Sequence, residues 1–421
     1  MPTAVAIFGL TYAAIAAGKV PFLSIDRPAA ALIGAVLMVG AGVLGPGEAA
    51  RAINGDTIAL LLGTMVLTSY LAEAGFFRWS SWHVLRLVRS PRALLWAVAL
   101  VAGLLSAFLV NDTVCLLVAP LVLDIVDEAE LPPLPYLLAL AFGANAGSAA
   151  TLTGNPQNMI IGALSGLPYT TFAAACALPA AAATLTAAAF LHVVFRRKLP
   201  RRAALADVGP PRVEKRLLWT TLVITALVIA GFAAGYSLSW TALAGAAACF
   251  AAGRRSPRAI LVRVDWPLLV FFAGLFVVVA GVERAGVTAA LHDRSLPFLA
   301  VGGVNEQVVR FATLATVASQ VVSNVPFVLV AAKWIPGMAD PQLMWTVLAL
   351  ASTLAGNLTV IGSVANVIVL ESAGERVRVG FWRFLAYGAP VTVATLAISL
   401  GLLLLLRGGI PPHGVVWLPS K

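Results

Sequence analysis

An apolar run over residues 136–164 carries Gly154, Asn155, Pro156, Gln157, Asn158 and Gly162 in its second half. The run is long enough to cross a bilayer, for which roughly 20 apolar residues suffice. Proline removes a backbone donor and clashes with the preceding turn, at a cost of about 3 kcal/mol in a helix interior. Hydrocarbon offers nothing to repair that loss. Irregular backbone at membrane depth survives only where protein buries it or where it lines a wet cavity. The stretch therefore predicts a spanning helix broken over 154–158, with freed amides facing something polar. An ordinary proline kink is the alternative.

A second stretch, residues 351–366, can be laid on the first. Thr151 then falls on Thr359, Gly154 on Gly362 and Asn158 on Asn366. Two polar-interrupted apolar runs at matching places in two halves are the best sequence pointer to a transporter binding site.

Composition decides the setting. The chain has 421 residues, of which 60% are hydrophobic and 11% charged, whereas a soluble globular chain carries about 25% charged residues. This is the composition of an all-α polytopic membrane protein. The net charge of +10 sits in short blocks between apolar runs, which is the positive-inside pattern and not a nucleic-acid face. Cys115, Cys176 and Cys249 lie singly in apolar runs and read as small buried hydrophobes. The start lacks a basic segment followed by a cleavage site, so no signal peptide is expected.

Basic clusters fall at 78–92, 196–216, 254–263 and 376–383, with Lys19 and Arg27 earlier. If the run 94–123 crossed the membrane once, the clusters at 78–92 and 196–216 would lie on opposite faces, against the orientation bias. A re-entrant hairpin at 94–123 returns both to one face, and the same logic applies to 311–332. The expectation is about ten transmembrane helices, two re-entrant hairpins and two broken helices, 136–164 and 342–370, with both termini outside. The chain divides into N-terminal scaffold helices (1–55), a first repeat (56–195), a basic cytoplasmic loop (196–216), linking scaffold helices (217–264), a second repeat (265–407) and a tail (408–421). Gly63 and Gly75 match Gly274 and Gly286, and the halves enter from opposite faces, as an inverted repeat does.

The hairpin tips read Asn111-Asp112-Thr113 and Ser323-Asn324-Val325, and are set on one another in that order. Asp112 is the only carboxylate placed deep in the membrane, where an aspartate costs about 2.5–3.5 kcal/mol and marks function by default. It can accept a proton, bind sodium with Asn111, Thr113 and Gly154 oxygens, or simply cap its helix, as Asn111 and Thr113 also can. Ser323, Asn324, Gly362, Ser363 and Asn366 form the pseudo-symmetric, uncharged partner of that ion site, with Asn324 and Gly362 as its ion-coupling residues. Substrate contacts fall to Asn111, Thr113, Asn155, Gln157, Asn158, Ser323, Asn324, Ser363 and Asn366. Asp56 and Asp265 read as helix caps, Glu73 as interfacial, Glu371 as cytoplasmic, and Asp124, Asp127, Glu128 and Glu130 as a solvated turn. No P-loop, His-Glu-x-x-His or Gly-x-Ser-x-Gly motif is present, so neither an enzyme nor a resident metal or cofactor is expected.

These tips and breaks resemble the ion transporter superfamily, nearest to the arsenical pump membrane protein and citrate-transporter-like anion permeases, and more distantly the divalent anion/sodium symporters. The resemblance covers about 56–407. It implies a transport domain of hairpins and broken helices on a helical scaffold, commonly as a homodimer with an elevator-like slide. In the dicarboxylate branch, Ser-Asn-Thr tips contact sodium and substrate. Here Asp112 adds a negative charge and Val325 lacks a hydroxyl, which points toward proton coupling or a neutral oxyacid such as arsenous acid. The expectation is a secondary transporter in the plasma membrane for a small anion or arsenite, driven by protons or sodium. A cation/proton antiporter using Asp112 is the alternative.

Overall fold

The structure is a computed structural model that describes residues 2–17, 19–20, 25–88, 90–200, 211–286, 298–299 and 301–407. The tail at 408–421 and the middle of the basic loop at 201–210 lie outside the described residues. The chain opens with α1 (Pro2–Ala17), α2 (Arg27–Gly40), α3 (Pro46–Ala52), α4 (Gly55–Glu73) and α5 (Phe76–Leu87). A first hairpin follows as α6 (Pro91–Phe108) and α7 (Asn111–Glu128), then a broken span as α8 (Pro133–Ser148) and α9 (Pro156–Ser165). Next come α10 (Tyr169–Phe195), α11 (Lys215–Ala233), α12 (Leu238–Ala252), α13 (Pro257–Leu261) and α14 (Trp266–Arg284). The second hairpin is α15 (Val304–Val322) and α16 (Asn324–Ala331), the second broken span α17 (Pro341–Ala355) and α18 (Val364–Ala373), and α19 (Phe381–Leu406) ends the described chain. One small departure from all-α is a two-residue antiparallel ladder, Lys19 with Asp26 and Val20 with Ile25.

Among the described residues, α4, α6, α10, α11, α14 and α19 are each long and apolar enough to cross a bilayer. The broken spans reach that length only as pairs. The first break is built by local chemistry: Asn155 caps α9 by accepting from the Asn158 amide at 2.8 Å, and Pro156 opens the helix where no amide donor is needed. Asp265 caps α14 by accepting from the Leu268 amide at 3.0 Å. Asp56 does not cap α4. Asn54 does, from two positions earlier, and Asp56 accepts from the Ser239 hydroxyl at 2.6 Å instead.

Both hairpins return to the face they leave. Tyr136, in the first turn of α8, donates to the Pro91 carbonyl at the start of α6 at 3.0 Å. The start of α6, the start of α8 and the end of α7 just before it therefore share a face. Gln307 near the start of α15 accepts from the Ala339 amide just before α17 at 3.3 Å, which closes the second hairpin likewise.

Polar contacts tie the basic clusters into one layer. Arg92 donates to the Arg196 carbonyl at 2.6 Å, Arg263 pairs with Glu73 at 2.5 Å, Arg255 pairs with Glu73 and Glu214, and Arg376 pairs with Asp127 at 2.8 Å. Glu73 and Asp127 are thus ion-paired partners of that layer. The opposite face holds Arg284 with Glu48, Lys333 with Glu283 at 2.9 Å, and Arg407 with Asp340 at 3.2 Å.

In each half, a glycine lets a long helix meet a neighbour at backbone distance. A Cβ on Gly63 of α4 would fall 2.6 Å from the Ala242 carbonyl carbon on α12, and one on Gly274 of α14 would fall 2.7 Å from that of Ala31 on α2. Small residues are what permits such contact between membrane helices.

Two outcomes follow. Gly63→Ala and Gly274→Ala each lower the thermal midpoint in detergent by an amount matching about 1–3 kcal/mol of overpacking, although alanine is the better helix former. Gly9→Ala, with open space around it, does not. In intact cells, an impermeant maleimide labels Glu306→Cys from outside and reaches Arg254→Cys only after permeabilisation; the reverse pattern would overturn the orientation drawn from the basic layer.

Candidate functional site

The two breaks are held open by the same device. Asn158 Nδ2 donates to the Ser148 carbonyl at 3.3 Å and the Thr151 carbonyl at 2.9 Å, ten and seven residues back. Asn366 Nδ2 donates to the Gly356 carbonyl at 2.7 Å and the Thr359 carbonyl at 3.0 Å, again ten and seven residues back. Each carboxamide thus replaces the helix hydrogen bonds that the break removes.

Between the breaks sits Asn145, fully buried in α8. Its Oδ1 accepts from Asn111 Nδ2 at 3.1 Å and from the Ser363 hydroxyl at 3.0 Å. Its Nδ2 donates to Asn357 Oδ1 and Asn366 Oδ1, both at 3.0 Å. These polarities are not free to invert. Backbone carbonyls accept only, so they fix the orientation of the Asn366 amide. That amide fixes Asn145, and Asn145 in turn fixes Asn111 with its Oδ1 turned away. Thirteen residues before Asn366, where Asn145 stands before Asn158, is Thr353. Its hydroxyl oxygen accepts from Asn155 Nδ2 at 3.2 Å and Gln157 Nε2 at 3.3 Å. Each half thus reaches into the break of the other.

The hairpin tips close on this centre. The Asn111 amide donates to the Gly154 carbonyl at 3.0 Å. The expected capping of α7 by Asn111, Asp112 or Thr113 is absent: Val110 is the cap position and no side chain serves it. The Asp112 carboxyl points across instead, to the backbone N–H of Ala365 in the first turn of α18, the positive end of that helix. At the other tip Ser323 has φ 72° and ψ 156°, a conformation that costs a non-glycine residue about 1–3 kcal/mol and clusters at functional sites.

Because α7 opens at Asn111 and α16 at Asn324, the structure moves the tip register by one. Asn111 matches Asn324, and Asp112 matches Val325. The sequence pairing went astray because both tips offer a short run of similar polar residues. Ser106 and Ser319, each five residues before its asparagine, match as well. Among the described residues, Ser106 Oγ, Asn111 Oδ1, Asn158 Oδ1, Ser319 Oγ and Asn324 Oδ1 are buried without a hydrogen-bond partner.

A cavity of about 660 Å³ lies between tips, breaks and scaffold. Asn111, Asp112, Gln157, Ser323, Asn324, Gly362 and Ser363 line it. Thr113, Gly154, Asn155, Asn158 and Asn366 do not reach it; the last three sit behind its wall, engaged with backbone and with the other half. The far wall comes from the starts of α2 and α14, with Asp26, Arg27 and Asp265, and from Glu371 near the end of α18. Asp265 follows Arg263 of the basic layer, so the cavity is set toward that face. Arg27 and Asp265 stand close enough to act on the charge of Asp112. Glu371, expected simply as a cytoplasmic residue, is part of this wall. Sequence reasoning missed Asn145 and Thr353. The signal was available as the shared thirteen-residue offset from Asn158 and Asn366.

Comparison with known proteins agrees with this architecture. A model of the citrate transporter family, CitMHS, matches residues 12–355, which include both tips, the first break and Asn145. The silicon efflux transporter LSI3 of Oryza sativa subsp. japonica is 31% identical, covering 94% of this chain and 96% of its own. The transporter Rv2685 of Mycobacterium tuberculosis is 33% identical over 94% and 96% of the two chains. A Dictyostelium discoideum protein carrying the transporter name arsB is 26% identical over 91% and 88%. The crystal structure of the YdaH transporter of Alcanivorax borkumensis shares the fold with a TM-score of 0.60 at 17% identity, over 97% of this chain and 98% of that one. The chain therefore belongs to the citrate transporter family, as a multi-pass membrane transporter and not an enzyme.

Proposed function

We propose that the chain is a secondary active carrier of a small oxyacid, taken as a small anion or as a neutral acid of the arsenous or silicic kind, and driven by a proton or sodium gradient. The observation that carries this reading is the meeting of two pseudo-symmetric tips and two clamped breaks at one cavity beside Asp112. Such a site at the repeat interface is what alternating access requires.

Charge narrows the substrate. Among the described residues, the wall holds Asp26, Asp112, Asp265 and Glu371 against Arg27 alone. Like charges about 6 Å apart repel by about 3 kcal/mol at an effective dielectric of 20, so a citrate trianion enters only with several compensating cations. A hydroxylated acid that is neutral, or singly charged beside a protonated Asp112, escapes that cost. It also suits the groups present: Gln157, Ser323, Asn324 and Ser363, and the amide ends of α9 and α18. The names of LSI3 and arsB point the same way; the family name points to citrate.

Asp112 holds the coupling proton, or a sodium ion shared with the free oxygen of Asn111, which lines the same cavity. The acidic wall also favours a second reading, cation/proton antiport at Asp112, in which the oxyacid is not carried at all. The carrier sits in the plasma membrane with its basic layer cytoplasmic, both termini outside and the present cavity open inward. It works as a homodimer, with helices 1–55 and 217–264 as scaffold and the hairpins and breaks as the moving part.

Flux into proteoliposomes tests this, with arsenite, silicic acid, sulfate and citrate offered under separate proton and sodium gradients. Uptake of a neutral or singly charged oxyacid, stimulated by one gradient, is the expected result. Asp112→Asn lowers that stimulated flux at least about tenfold, a loss of roughly 1.4 kcal/mol, while yield and thermal midpoint hold. Unchanged stimulation in Asp112→Asn removes the role of this residue, and ion exchange without oxyacid flux selects the antiport reading.

A further inference from the structure

The two broken helices begin differently. Three residues before each clamp asparagine stand Asn155, ahead of α9, and Ser363, ahead of α18. Both hold the extended conformation of a cap residue. Asn155 fulfils that part, its Oδ1 accepting from the Asn158 amide at 2.8 Å. Ser363 does not. No side-chain cap bond closes α18, and the Ser363 hydroxyl donates to Asn145 Oδ1 at 3.0 Å instead. The first amides of α18 are left to other acceptors, at the helix end that carries about half a positive charge.

The missing cap comes from the other half. Helix α7 packs against α18, and its first turn directs the Asp112 carboxyl at the Ala365 N–H. Asp112 lines the cavity together with Gly362, Ser363 and Val364 at the start of α18. At the pseudo-symmetric place Val325 offers no acceptor, and α9, capped by Asn155, requires none. Each broken helix thus meets one acceptor, its own in the first half and a borrowed one in the second. Asn155 sits behind the cavity wall, whereas Asp112 faces the cavity. A molecule bound there can displace the borrowed cap and not the other.

Beside that end stand acceptors without donors. Asn111 and Asn324 line the cavity, are 4% and 7% exposed, and each keeps a buried Oδ1 without a partner. A hydroxylated acid matches this set. Its O–H groups donate to amide oxygens while another of its oxygens accepts from the α18 amides. A fully ionised anion has no hydrogens to give the two asparagines.

We propose that the Asp112 carboxylate is a tethered stand-in for substrate, filling the amide end of α18 until an oxygen of the oxyacid takes it, so that the coupling ion must engage Asp112 before substrate binds. This rests on the ion-coupled oxyacid reading above. It adds an order of binding and a place for one substrate oxygen.

Equilibrium binding to the full-length protein in detergent tests this. The probes are arsenite and silicic acid at neutral pH and below, where both acids are uncharged and simple repulsion by a carboxylate does not act on them. In the wild-type protein, protons or sodium are expected to tighten binding about tenfold, the worth of one hydrogen bond to a charged group. Asp112→Ala binds at the tight value without ion dependence. Asp112→Asn keeps an acceptor for the Ala365 N–H, and so binds more weakly than Asp112→Ala. Amide hydrogen exchange at the start of α18 reads the same end directly: it is faster in Asp112→Ala than in the wild type, and slows when the acid is added. Binding in folded Asp112→Ala no tighter than in ion-free wild type, equal binding in the two variants, or unchanged exchange each overturns the stand-in, while ion-tightened binding in the wild type keeps the coupled reading. Wild-type binding that neither ion changes, or no binding of either acid, overturns that reading and the stand-in with it.

Discussion

The structure depends on how two helices can be broken inside a bilayer without leaving their carbonyls bare. An unsatisfied backbone group in hydrocarbon costs several kcal/mol, and each break frees several. Asn158 and Asn366 answer this from the C-terminal side, each with one amide bridging two carbonyls of the preceding segment. A hydrogen bond between side chains in a membrane is worth only about 0.6 kcal/mol on average, so the amides add little net stability. Their effect lies in removing a penalty that would otherwise heal the break into a continuous helix. The healed helix would bury the amide ends of α9 and α18 that now face the cavity.

Asn145 extends the same logic between the halves. All its hydrogen-bonding capacity is used, two bonds in and two out. The polarity of the centre therefore propagates from backbone carbonyls in the second break to the first hairpin tip. Thr353 returns the favour toward Asn155 and Gln157. Two segments that each reach into the other's gap cannot slide independently, so on the proposed cycle tips and breaks travel as one piece. The surface left to move is the one facing α2 and α14, where Asp26, Arg27 and Asp265 form the opposite wall.

Much of this was legible in the sequence because lipid makes polar residues conspicuous. Gly154 to Asn158 and Gly362 to Asn366 interrupt long apolar runs, and arginine placement required both hairpins to return. What the sequence blurred had physical causes. The tip register slipped by one since Asn-Asp-Thr and Ser-Asn-Val differ in the very hydroxyls and charges used to align them, whereas the start of the helix decides the match. Asp56 looked like a cap, but Asn54 occupies that position. Asn155, Asn158 and Asn366 read as substrate ligands, being amides in an apolar span; three-dimensional closure turns them onto backbone. Asn145 stood as a lone amide in an apolar helix, and only the pairing of the halves gives it Asn357 and Asn366 as partners.

Pseudo-symmetry of this kind separates mechanics from chemistry. The clamps, the cross-reaching contacts and the helix contacts at Gly63 and Gly274 repeat in both halves; on the proposed cycle, two inverted units exchange roles as the cavity changes sides. The tip charge does not repeat: Asp112 is matched by Val325 in the other half. A carboxylate at position 325 as well would add a fifth to a wall that already holds Asp26, Asp112, Asp265 and Glu371, and each like pair about 6 Å apart repels by about 3 kcal/mol at an effective dielectric of 20. A single tip carboxylate, near the positive end of α18 and within the field of Arg27, adds only one charge to be compensated at the tips. On the proposed cycle, the compensating charge comes from the protein in one state and from the coupling ion in the other. On that proposal, symmetric mechanics with one-sided charge is a low-cost way for a repeat-built carrier to tie its movement to an ion.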